Sequence, residues 1–112
     1  ILTFFFKMSI MTGDSIINAY KFFTRENNEV PKFIARVLSA FGYNELVHEF
    51  CALAKKICYF DPEAHFIDAE TYLIEGKLQA AYEAVVDGIK IAPNYYPNKK
   101  LLTMIKNAGY KE

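Results

Sequence analysis

The stretch 62–93, PEAHFIDAETYLIEGKLQAAYEAVVDGIKIAP, decides the fold. Asp61 just ahead of it is a good N-cap, and Pro62 suits the first helical position, where its missing N–H has no intrahelical partner to lose. A helix therefore starts there. Ile67, Tyr72 and Leu73, with small Ala69 between them, form one apolar stripe, and Gly76 can adopt the left-handed conformation that ends it. Leu78, Ala81, Tyr82, Val85, Val86 and Ile89 then recur at helical spacing until Pro93 forbids another turn. Two amphipathic helices joined at a glycine make a hairpin, with Ala69, Ala81 and Gly88 placed where two packed backbones can approach closely. Neither helix can bury its stripe alone, so the unit requires neighbours.

Those neighbours are written one repeat length earlier. Gly42 precedes Gly76 by 76 − 42 = 34 positions, and Ala35 precedes Ala69, and Ile57 Ile91, by the same interval. Leu38 then falls opposite Tyr72, Val47 opposite Ala81, Cys51 opposite Val85 and Ala54 opposite Gly88, all apolar or small. A helical hairpin of this period, with a tight turn, small residues at the crossing and a helix-ending proline, resembles the tetratricopeptide repeat. Ala69, Tyr72, Ala81 and Pro93 match that pattern in type, Gly76 falls at its turn, and Gly88 stands where the family prefers alanine. His65 and Asp68 occupy positions where the family carries large apolar residues, and Tyr59 replaces the proline of the earlier copy. The resemblance covers 28–95. It implies an all-α fold, a short right-handed α-solenoid of antiparallel helical hairpins, with about two full repeats plus flanking helices.

In chain order, residues 1–12, ILTFFFKMSIMT, are apolar and too few to cross a bilayer, which takes about 20 per helix. They are expected to be the end of a preceding helix, in a chain that is itself a fragment or processed form. The repeat domain occupies 13–112, with helices expected near 14–27, 31–41, 44–59, 62–75, 78–91 and 98–108. In the second of these, Val30, Phe33, Ile34, Val37, Leu38 and Phe41 fall at i, i+3, i+4, i+7, i+8 and i+11, the cleanest helical pattern in the sequence. Asn44 is expected to cap the third helix and Asn98 the last, whose Leu101, Leu102 and Ile105 face inward. The polar close of that helix suits a solvating cap on the stack.

One hundred and twelve residues make one small domain. Thirteen basic and thirteen acidic residues cancel, which removes any general pull on nucleic acid or anionic membrane. Aromatics at 16% and hydrophobics at 53% lie on the rich side for a soluble domain, so some apolar surface is expected to await a partner. Cys51 and Cys58 lie seven apart on one helix, about 10 Å along its axis and too far for an intrahelical disulfide. Buried free thiols in a reducing compartment are expected. His48 with Cys51 could begin a zinc site, but the only other histidine is His65, so no metal or other cofactor is expected.

Chemistry-bearing motifs are wanting. No glycine-rich loop follows a strand, and Ser39, Thr71 and Thr103 lack a motif pairing any of them with a histidine. Glu63, Asp68, Glu70 and Glu75 resemble the solvated face of a helix more than a tuned acid and base. The chain is therefore expected not to be an enzyme.

Binding is what the family resemblance implies instead. In a stack of such hairpins the first helix of each repeat lines the concave surface. Carried over position by position, the family's groove falls on Lys32 and Arg36, on Phe66, Glu70 and Leu73, and on Lys100. In some relatives two basic residues placed like Lys32 and Arg36 clamp a peptide carboxylate, so an acidic or C-terminal peptide is one expected ligand; the bland alternative pairs Glu70 with Arg36. The reading is thus a protein-interaction module, adaptor or scaffold. Its rivals are a structural subunit with no free groove and an RNA-binding helical-repeat protein.

Overall fold

The computed structural model describes residues 28–111, so the expected apolar segment 1–12 and the helix near 14–27 lie outside the described residues. Five helices follow one another, α1 (Glu29–Ala40), α2 (Asn44–Ile57), α3 (Pro62–Ile74), α4 (Leu78–Ile91) and α5 (Tyr96–Asn107), and the described residues contain no strand. The all-α expectation holds over this span.

Local chemistry sets most of the boundaries. Asp61 caps α3 by accepting a hydrogen bond from the Glu63 amide at 3.0 Å, with Pro62 in the first turn. Gly42 and Gly76 end α1 and α3 at φ +80° and +78°, where a side chain would be strained. Around Gly76 its own amide donates to the Leu73 carbonyl and the Lys77 amide to that of Tyr72, the paired bonds of a Schellman closure; Gly42 and Tyr43 close α1 the same way. Two expected caps are corrected. Tyr43, not Asn44, precedes α2, and α5 begins two residues before Asn98.

Each helix packs on the next, and α3 also touches α1 and α5, so α3 meets all four others. One core cluster joins Ile34, Ala35 and Leu38 of α1 to Val47, Phe50 and Cys51 of α2 and Ile67 of α3. A second joins Ala69 of α3 to Ala81, Ala84 and Val85 of α4 and Leu101 and Ile105 of α5. Phe66 packs against both. Of the expected stripe of α1, Ile34 and Leu38 are buried and Val30 packs against them, but Lys32 and Ala35 turn inward as well, while Phe33 and Phe41 are exposed. Cys58 is corrected too, because α2 ends one residue earlier and leaves its thiol exposed; Cys51 is buried, which pushes its thiol well up.

Backbone and neighbouring side chains approach closely at Gly88. A Cβ there would stand 2.6 Å from Asn98 Nδ2 and 3.0 Å from the Cβ of His65, so α4 presses its backbone into the joint between α3 and α5. Asn98 is fully buried there, and its Nδ2 donates weakly to the Pro62 carbonyl at 3.4 Å. In an open helix, glycine to alanine would stabilise by about 1 kcal/mol. Here the sign reverses, because neither neighbour is a freely moving side-chain end. Gly88→Ala is expected to cost roughly 1–3 kcal/mol in urea unfolding, and less when made together with Asn98→Ala, which removes the nearer clash. A stabilised single variant would mean that α4 does not pass this close.

Candidate functional site

Lys32, expected to be an exposed groove residue, is buried at 3% exposure, which corrects that expectation. Its ammonium lies 2.8 Å from Glu29 Oε1, 2.5 Å from Asp61 Oδ2 and 3.0 Å from Glu63 Oε1. Asn28 Nδ2 also donates to Asp61 Oδ2, at 2.8 Å. Burial alone would lower the Lys32 pKa, but the three carboxylates outweigh it and hold the group above its ordinary value. Burial likewise would raise Asp61, yet the Lys32 ammonium, the Glu63 amide and Asn28 hold it below the usual carboxylate range. Arg36 is exposed but pairs with Glu63, two turns before the Glu70 that the spacing suggested. The supposed carboxylate clamp is therefore already filled by the protein's own acids.

The remaining expected residues divide. Arg36, Phe66, Glu70 and Lys100 line two adjoining clefts on the face formed by α1, α3 and α5. The larger, about 390 Å³, lies between α3 and α5 and is walled by Phe66, Glu70, Tyr96, Pro97, Lys100, Leu101 and Met104. The smaller, about 240 Å³, reaches Arg36, Ser39 and Glu63 on the α1 side and is closed by Tyr95 and Pro97. Phe66, Glu70 and Pro97 belong to both. Leu73 lines neither cleft; it is half-buried against the α4–α5 core.

Glu70 is central and open to solvent in part, yet burial among these rings pushes its carboxyl above its ordinary value. Neither Glu70 nor Lys100 has an ion-pair partner among the described residues. Sequence reasoning missed Tyr96, Pro97 and Met104. The signal was present for two of them: Pro97 stands 34 after Glu63, and Met104 34 after Glu70.

A second cluster of titratable groups ties α2 to α3 away from the clefts. His48 is stacked on Tyr72, ring centroids 3.9 Å apart, and its two nitrogens lie 2.5 Å from Asp68 Oδ1 and 2.5 Å from Glu75 Oε1. Lys55 donates to the other oxygen of Asp68 at 2.7 Å. The hydrogen bond to His48 outweighs desolvation and holds Glu75 below the usual carboxylate range. With both ring nitrogens engaged by carboxylates, His48 is bound up in a helix joint.

Compared with models of known protein families and with curated proteins, the sequence matches none.

The Lys32 cage makes an acid-stability prediction. A carboxylate whose folded pKa is depressed contributes stability that is complete above its unfolded value, near 4, and is lost as pH falls through the folded one. Urea midpoints should hold down to about pH 4 and fall below it. Asp61→Asn should cost roughly 1–3 kcal/mol at neutral pH and flatten the acid decline. A decline as steep in the variant as in the parent would place the acid-sensitive groups elsewhere.

Proposed function

We propose that the chain is a protein-interaction module, in which α1–α2 and α3–α4 are hairpins of tetratricopeptide type and α5 begins a third. In this reading they form a short right-handed α-solenoid that receives a peptide or partner subunit on the face of its first helices. The observation that carries it is the pair of adjoining clefts on α1, α3 and α5, in which aromatic and proline rings surround the charged side chains of Glu70, Arg36 and Lys100. Apolar walls with a few placed charges are the usual make-up of a ligand groove.

The repeat itself is supported by helix starts at intervals of 62 − 29 = 33, 78 − 44 = 34 and 96 − 62 = 34. Matched positions also behave alike: Ala35 and Ala69, Val47 and Ala81, and Cys51 and Val85 are all buried. Gly42 and Gly76 adopt the same left-handed backbone. First helices touch first helices, α1 with α3 and α3 with α5. The proposal assigns no catalysis and no cofactor.

A second reading, a structural subunit with no free groove, is favoured by a different observation. Phe33, Tyr59, Phe60 and Ile74 are exposed and line neither cleft. Tyr59 and Phe60 pack edge-on with ring centroids 5.9 Å apart, and large apolar side chains grouped in water mark contact surfaces.

The two readings separate by mutation. Tyr96 and Met104 are exposed and wall the larger cleft, so Tyr96→Ala with Met104→Ala should leave the melting temperature nearly unchanged. Retention of a partner captured on the immobilised chain should fall about tenfold or more, as loss of roughly 1.4 kcal/mol requires. Retention that survives this change but is lost with Phe33→Ser and Phe60→Ser would displace the groove in favour of the structural subunit.

A further inference from the structure

The clefts also carry information about what chemistry suits them, because their charges are unequally satisfied. On the α1 side, Lys32 and Arg36 meet three carboxylates, Glu29, Asp61 and Glu63, and both cations are engaged. An acidic ligand arriving there would have to displace an internal carboxylate and leave it desolvated, which costs more than the new pair returns. Glu70 is the reverse case. It sits where the two clefts meet, with Phe66 and Pro97 beside it in both, and no described cation pairs with it. Lys100 walls the same cleft, but its ammonium is not within ion-pair distance of Glu70.

We infer that the groove takes an extended peptide segment carrying one basic side chain, lysine or arginine, set between apolar ones, with the basic group on Glu70 and the apolar neighbours in the two clefts. The inference rests on the groove reading above and gives it the opposite charge preference from the one the sequence pattern suggested. Desolvation supports it. A carboxylate partly stripped of water, with its pKa pushed up, gains more from an arriving cation than a solvated one does. The flat walls of Tyr96, Tyr95 and Phe66 suit the aliphatic stem of lysine or the plane of arginine.

The test is selection from a phage-displayed library of random decapeptides on the full chain, repeated on Glu70→Gln, Glu70→Lys and Tyr96→Ala with Met104→Ala. Glu70 is exposed and outside the core, so its variants should fold, which circular dichroism checks. Expected are peptides enriched in lysine or arginine beside aromatic or aliphatic residues. Their affinity should fall tenfold or more on Glu70→Gln and rise on Lys100→Gln, which removes a like charge from the same cleft, and Glu70→Lys should select acidic peptides instead. Peptides that depend on Tyr96 and Met104 but not on Glu70, or that are acidic from the start, overturn the basic anchor and leave the groove standing. A library that yields no binder, or only binders indifferent to every variant, overturns the groove and the anchor together. Self-association that needs Glu70, seen by light scattering, would put a second copy in the clefts and overturn the peptide.

Discussion

The described residues are arranged around one helix, α3, that every other described helix touches. Because α3 touches each of the other four helices, it must bury several faces at once, yet only Ala64, Ile67 and Ala69 of its buried residues are apolar. His65, Asp68 and Thr71 are buried as well, and each needs a partner supplied by its surroundings. Thr71 returns its hydroxyl hydrogen to the Ile67 carbonyl one turn back at 2.8 Å. His65 donates from Nε2 to the Tyr59 carbonyl at 2.9 Å, packs edge-on against the Tyr59 ring, and is held below its ordinary pKa by burial, consistent with a neutral ring. Asp68 is held between His48 and Lys55. Two buried acceptors, His65 Nδ1 and Asn98 Oδ1, find no partner among the described residues, and both belong to residues that crowd Gly88. The middle helix is thus fixed in rotation and height by directional bonds as well as by apolar packing.

Charge does its structural work on two flanks of that helix. At its start, Asp61 and Glu63 gather Lys32 and Arg36 of α1; along its other flank, Asp68 and Glu75 gather His48 and Lys55 of α2. A buried ammonium with three carboxylates is weak testimony for stability, since desolvation offsets most of the attraction. It is better testimony for register, because sliding α1 by one turn would strand Lys32 without partners in a nearly water-free place. The cages therefore fix which residues of α1 and α3 face the same cleft. The clefts inherit their shape from them.

The parts of this arrangement that were legible in the sequence are those whose cause is local. Asp61 before Pro62, and Gly42 and Gly76 at the turns, act through bonds to residues within a few positions, so their types alone foretold where α1 and α3 stop and α3 begins. The crossing at Ala81 and Gly88 was legible through spacing. What failed was relational. Lys32 looks like any solvated lysine on a helix until Asp61 and Glu63 arrive from 29 and 31 positions further on. Asn98 looks like a cap until the absent side chain of Gly88 opens a place to bury it, so α5 begins at Tyr96 and its ring joins the cleft wall. Phe33 and Phe41 fit an apolar stripe by spacing, but the inward side of α1 is set by where α2 and α3 lie.

The same distinction holds for the side chains along the clefts. Transferring a position from one repeat to the next preserves which face a side chain occupies, because that follows from helix geometry and the 34-residue interval; Phe66 and Lys100, or Glu70 and Met104, do occupy one face. It does not preserve what the side chain is doing there. Lys32 and Arg36 stand four apart on α1, but the neighbouring acids engage both in ion pairs. The rings of Tyr95 and Tyr96, Met104, and Glu70, which has no ion-pair partner among the described residues, are left lining the clefts.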